Sequence, residues 1–157
     1  MKKNYFFIIS LFFVQLGFSQ VSRDPDDSVK RVRHQDDSII RAFRLATNEL
    51  MASHDARGMG RYWLHDYVRM SGSGNITIGK DSTVAYWTKV FKEQPTIYYI
   101  RTTEAIEIGE NGLNAWESGN WTGMNTKRKG GNYAAYWTKR ENIWKLQSEY
   151  FITLNTY

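Results

Sequence analysis

The sequence predicts an α+β domain with its helices first and an antiparallel sheet after them. Apolar residues Val32, Ile39, Phe43, Ala46 and Leu50 recur in steps of three, four and seven, which places them on one face of a helix. From Thr96 onward the period changes to two, in four runs separated by turn-forming residues, the pattern of strands joined by hairpins. A run of helices followed by a run of strands separates the two kinds of element into layers.

The chain opens with Lys2 and Lys3, continues through an apolar stretch over residues 5–14, and passes Gly17, Phe18 and Ser19. This is the order of a signal peptide, with cleavage expected after Ser19. The apolar core is shorter than the roughly 20 residues that a membrane-spanning helix needs, and Gln15 interrupts it. Residues 1–19 are therefore read as a signal peptide, 20–27 as a polar leader and 28–157 as one domain. The expected destination is the periplasm or the extracellular space, with no membrane span in the mature protein. Asp24 before Pro25 resembles an N-cap with Pro at the first helical position, and the long helix runs from there to about Asp55. Asp36 interrupts its apolar stripe. Arg31, Arg33, Arg41 and Arg44 fall mostly off the stripe and are read as a solvated face.

Gly58 and Gly60 punctuate the chain after Asp55. A short second helix is expected over 59–64, a strand over 65–70, a Gly-rich turn region over 71–79 and a third helix over 83–92, ended by Pro95. The strands are expected at 97–108, 113–124, 132–140 and 143–154.

Loss of residues 1–19 removes two Lys and no acid, so the formal charge falls from +5 to +3. That is too mild to argue for nucleic acid. The cluster Lys127, Arg128 and Lys129 is read as a solvated hairpin tip, because no aromatic residues interleave with the charges. The chain has no Cys, so burial and not disulfides must hold the exported domain together. Its aromatic share of 15% can fill a core or wall a pocket. His34, His54 and His65 lack zinc spacing, so no metal site and no cofactor is expected. Gly72-Ser73-Gly74 lacks the ending of a phosphate loop and is read as a turn.

The hairpin at Glu141-Asn142 permits a register argument. A two-residue turn sets Trp137 opposite Leu146, Ala135 opposite Ser148 and Tyr133 opposite Tyr150, giving one aromatic face. An even register across the preceding turn adds Glu117 and Trp121 to it. A carboxylate there needs a partner, and Arg101 on the adjacent upstream strand is the candidate. Arg101 and Glu117 then form either the polar centre of a pocket walled by Trp121, Tyr133, Trp137 and Tyr150, or a structural ion pair at a sheet edge. Asp66 is a second candidate proton-transfer group if it shares an inward parity with Leu64, Val68 and Met70; otherwise it caps or pairs.

The long helix ending in His54-Asp55, the run Trp63 to Val68, and Ile78-Gly79-Lys80 before the next helix resemble the nuclear transport factor 2-like superfamily. Arg101-Thr102, Ala115-Trp116-Glu117-Ser118-Gly119 with Trp121, Gly131-Asn132-Tyr133-Ala134-Ala135-Tyr136-Trp137 and Trp144-Lys145-Leu146 resemble its SnoaL-like and domain of unknown function 4440 branches. The resemblance implies a cone: a strongly bent antiparallel sheet wrapped around the long N-terminal helix, with two further short helices, a cystatin-like roll. It also implies a cavity at the open end and a homodimer through the sheet. In the ketosteroid isomerase branch the pattern puts Ser71 at the general-base position and Thr47 at the oxyanion-donor position. Neither side chain can fill those roles near neutral pH.

The expected function is binding of a small, partly apolar molecule. The expected ligand-binding residues are Trp63, Arg101, Glu117, Trp121, Tyr133, Trp137 and Tyr150. A lyase or isomerase using Asp66 or Glu117 is the second reading, and an association module without a ligand is the third.

Overall fold

Asp26 and Asp27 occupy the first turn of the first helix, α1 (Pro25–Ala52), where their charge complements the positive end of the helix dipole. The computed structural model describes residues 25–155. The expected signal peptide and the leader as far as residue 24 lie outside the described residues. After α1 come α2 (Ala56–Gly60), β1 (Trp63–Met70), β2 (Ile76–Ile78), α3 (Lys80–Glu93), β3 (Tyr98–Ile108), β4 (Asn114–Met124), β5 (Gly130–Arg140) and β6 (Ile143–Asn155). No helix among the described residues is long and apolar enough to cross a membrane.

The six strands form one curved sheet in the order β2-β1-β6-β5-β4-β3. Neighbours run antiparallel except β1 and β6, which pair in parallel. The parallel pair joins the helical half of the chain to the meander. β2 lies in the expected turn region; at three residues it is too short to show a period, yet it pairs Ile76 with Met70 and Ile78 with Val68.

α1 lies across the inner face of the sheet, but its most buried line is not the apolar stripe. Asp36, Ile40, Arg44, Thr47 and Met51 are buried, whereas Val32 is exposed and Ile39, Phe43, Ala46 and Leu50 are half-buried. The helix is rotated so that polar side chains reach the middle of the domain, and Arg44, expected in solvent, is 1% exposed. Asn48 fastens α1 to β3. Its Nδ2 donates to the Arg101 carbonyl at 2.8 Å, and its Oδ1 accepts from the Arg101 backbone N–H at 3.1 Å. The side chain thus satisfies a backbone donor and acceptor on an edge strand.

The β5–β6 hairpin has the expected two-residue turn, with φ of 50° at Glu141 and 63° at Asn142, as a type I′ turn requires. Pairing starts as expected, from Arg140 with Ile143 to Trp137 with Leu146, but Tyr136 then pairs with Ser148. Gln147 is the extra residue of a β-bulge, and beyond it the parity of β6 reverses. Tyr133 therefore faces Phe151 and Ala135 faces Glu149. Tyr150, expected on the aromatic inner face, is carried to the outer one and is 37% exposed. Inside, Trp137, Trp144, Tyr67, Ile40 and Leu146 are fully buried.

Candidate functional site

The centre of the cone is a charged cluster built on Arg44. Its Nε and Nη2 donate to the two oxygens of Glu117 at 2.9 and 2.7 Å, and its Nη1 donates to Glu149 Oε1 at 2.7 Å. One helix residue therefore neutralises carboxylates from β4 and β6. The guanidinium also lies over the rings of Tyr133 and Trp137, 5.2 and 5.5 Å from their centroids. Glu117 accepts further bonds from the Thr103 hydroxyl, the Tyr133 hydroxyl and the Trp137 indole, each at 2.7 Å. Five donors exhaust the roughly four lone-pair directions of a carboxylate. Burial pushes the Glu117 carboxyl up, but the charge and hydrogen bonds of Arg44, with those of Tyr133 and Thr103, hold it down at about 2.

Glu149 is held in the same way. Burial raises its carboxyl, Arg44 and Arg101 lower it more, and the Tyr67 hydroxyl donates to its Oε2 at 2.5 Å. Burial and that same carboxylate keep Tyr67 protonated far above its ordinary range. Arg101 is not the partner of Glu117. Its Nε donates to Asn48 Oδ1 at 3.0 Å and its Nη2 to the Thr47 carbonyl at 3.2 Å, while Glu149 is 3.9 Å away. Arg44 takes the place expected for Arg101 because it reaches the sheet from the helix that covers it. A further buried carboxylate, Asp36, is bound by Trp144 Nε1 at 2.9 Å and by the Lys139 ammonium at 2.6 Å.

Above the Arg44 cluster the cone opens into a pocket. Trp63, Trp87, Tyr99, Trp121 and Phe151 supply its aromatic wall around a cavity of about 40 Å³. Trp63 stacks on Tyr67 with centroids 4.7 Å apart, and Tyr99 meets Trp121 edge-on at 5.5 Å. Trp121 is fixed by its indole N–H, which donates to the Ile152 carbonyl at 3.0 Å. The position opposite it in the ladder is Gly131, where a Cβ would come within 1.8 Å of the Ile152 oxygen, so only Gly permits this approach of strand and ring.

The polar lining consists of Arg69, Arg101, Arg128, Glu149, Ser71 and Thr153. Ser71, at the position matched to the isomerase base, has its hydroxyl engaged by Ser73 at 3.0 Å and by the Asn75 backbone N–H at 3.1 Å. Thr153 is different: its hydroxyl is buried and has no hydrogen-bond partner among the described residues. Replacing a buried, unpaired hydroxyl by a methyl of the same shape removes a desolvation cost. The Thr153→Val variant is expected to be more stable than the wild type by about 1 kcal/mol in urea unfolding, although it loses a polar atom from the pocket.

Of the residues expected to bind a ligand, Trp63, Arg101 and Trp121 line the pocket. Glu117, Tyr133 and Trp137 lie in the Arg44 cluster, and Tyr150 lies on the other side of the sheet. Asp66 is exposed on β1. The inward residues of that strand are Trp63, Tyr67 and Arg69, of odd number, so Asp66 has the wrong parity to enter the cone. Arg44, Glu149 and Arg69 lie outside the expected set of site residues. Arg128, expected only at a solvated hairpin tip, contributes to the pocket rim.

No protein-family profile and no curated protein matches the sequence. Solved structures do resemble the fold. A domain of unknown function with a cystatin-like fold from Nostoc punctiforme PCC 73102 superposes with a TM-score of 0.68 at 13% identity, covering 78% of this chain and 79% of that one. A nuclear transport factor 2-like protein from Novosphingobium aromaticivorans gives a TM-score of 0.67 at 13% identity, with 87% and 94% covered. A candidate scytalone dehydratase from the same species gives 0.65 at 11% identity, with 82% and 91% covered. With a long helix cradled by an open, curved sheet of six strands, and with its likeness to these solved structures, this chain has a cystatin-like fold.

Proposed function

We propose that the chain is an exported domain that binds a small, partly apolar molecule at the open end of its cone. The observation that carries this reading is the pocket itself, a wall of five aromatic rings facing a few cationic and hydroxyl groups. Binding sites commonly combine apolar walls with a small number of polar groups that fix orientation. The cavity of about 40 Å³ admits only part of a ligand, so the remainder would lie outside it.

The carboxylates of the site do not support proton-transfer chemistry. Glu117 is ionised, buried and saturated with hydrogen bonds, Glu149 is ionised and buried with one donor on each oxygen, and Asp66 is outside. An enzyme reading would need a general acid or base other than Glu117 and Asp66, the two groups expected to serve. Mass spectrometry of the native protein purified from its source tests the binding reading: a non-covalent small molecule of constant mass, lost from a Trp121→Ala variant that remains folded, is the expected result. A native mass equal to that of the bare chain in every preparation counts against it.

A homodimer through the sheet is a further part of this proposal. The outer face exposes Trp116, Tyr150, Ile152 and Leu154, and Trp116 lies beside Tyr136 with centroids 6.4 Å apart. Exposed apolar residues on one face are what a dimer interface through the sheet would use. Light scattering is expected to give twice the chain mass for the wild type and the single chain mass for Trp116→Glu.

A further inference from the structure

Resting on the reading of the pocket as a ligand site, we propose that its ligand is a small organic carboxylate on an apolar, ring-sized body, and that Arg69 takes the carboxylate. The charged groups lining the pocket are three Arg and one Glu. Glu149 has both oxygens engaged, by Arg44 and by Tyr67, and Arg101 is engaged by Asn48 and the Thr47 carbonyl. The Arg69 side chain has no hydrogen bond and no ion pair among the described residues. Its guanidinium rests instead on three rings, 4.9 Å from the centroid of Trp87, 5.0 Å from Tyr86 and 5.9 Å from Phe151.

Aromatic faces attract a cation without neutralising its charge or using the N–H groups in its plane. Arg69 is therefore a half-buried, pre-positioned fork of donors, the geometry that a carboxylate accepts through two parallel hydrogen bonds. The same charges repel a cation. A second, independent feature agrees: the unpaired hydroxyl of Thr153 lines the same pocket and lacks an acceptor. The rings that hold Arg69 in place, Trp87 and Phe151, also line the pocket, so a ligand that reaches the guanidinium meets apolar surface beside it. A planar carboxylate on a ring matches both, whereas a phosphate dianion would have to shed far more hydration in this setting.

Isothermal titration calorimetry of the full mature chain with benzoate and phenylacetate, against benzamide and phenylacetamide, tests the proposal. The acids are expected to bind at least about tenfold more tightly than the amides, as a charge-assisted bond at a half-buried Arg implies. In Arg69→Met the acids are expected to lose their advantage, the ratio of acid to amide affinity falling to about one. The Arg69→Lys variant, which keeps the charge but not the fork, should fall between. Amides binding as tightly as acids to the wild type would overturn the carboxylate proposal and leave the ligand reading standing, whereas an acid preference that survives in Arg69→Met would overturn the assignment of the carboxylate to Arg69. If neither acids nor amides bind the wild type, both fail. The wild-type comparison needs no variant to fold, and Arg69→Gln replaces Arg69→Met if the latter does not.

Discussion

Replacing Arg44 by Met is expected to destabilise the domain at pH 7 by at least about 4 kcal/mol, since removal of one partner from a buried ion pair typically costs 3–5 kcal/mol. Here one guanidinium serves two carboxylates, Glu117 and Glu149. Both would stay buried, and Glu117 would retain only neutral donors. Total stabilities of ordinary domains are about 5–15 kcal/mol, so the variant stands at the edge of folding. The sign of its pH dependence separates this account from a simple packing defect. Without Arg44, burial, the largest influence on Glu117, is opposed only by the hydrogen bonds of neutral donors such as Tyr133 and Thr103 and is expected to raise the carboxyl above its unfolded value, so the folded form is favoured when the carboxyl is protonated. Urea midpoints of Arg44→Met should therefore rise as pH falls from 7 towards 5. A loss under about 1 kcal/mol, or a midpoint insensitive to pH, would show that Arg44 does not neutralise these groups.

The same residue shows where local sequence pattern succeeds and where it stops. Period and punctuation locate the long helix, α3 and the four strands of the meander within a few residues, because those signals are local: the helix repeat, Pro95, and the Glu141-Asn142 turn. The placement of Glu117, Trp121, Tyr133 and Trp137 on one inner face also follows from alternation. What local pattern cannot supply is the rotation of α1 and the bulge in β6. Helical spacing ranks apolar stripes by hydropathy, so Arg44 reads as solvated although it is four residues after buried Ile40 and three before buried Thr47. Only contact with Glu117 and Glu149 makes that burial tolerable. The bulge at Gln147 inserts one residue and exchanges Tyr150 for Glu149 on the inner face, and nothing in the run from Ile143 to Leu154 announces it. Arg69 is hidden for a related reason: the apolar members of β1, Leu64, Val68 and Met70, suggest one parity, while the strand turns its aromatic members Trp63 and Tyr67 inward.

Acid should unfold the wild-type domain, with stability lost progressively as pH falls below about 4.5. In the folded state Glu117 titrates at about 2, against 4.5 when unperturbed. A carboxyl depressed by folding contributes stability that is fully present above its unfolded value and is lost as pH falls through the folded one. The depression corresponds to about 3 kcal/mol from Glu117 alone. Glu149 is displaced in the same direction, so the two losses accumulate below pH 4.5. Arg44 and Arg101 stay charged throughout this range, and protonation of their partners leaves two guanidinium groups close together inside the cone. Burial and the nearby charge of Arg44 already hold Arg101 below its ordinary value, so this repulsion adds to the loss. Stability measured by urea unfolding should be flat from pH 7 to about 5 and then fall steeply. In Glu117→Gln the fall should shrink by the share assigned to Glu117, whatever the variant's stability at pH 7. If the slope below pH 4.5 is the same in the variant as in the wild type, Glu117 does not carry the charge that Arg44 is placed to meet.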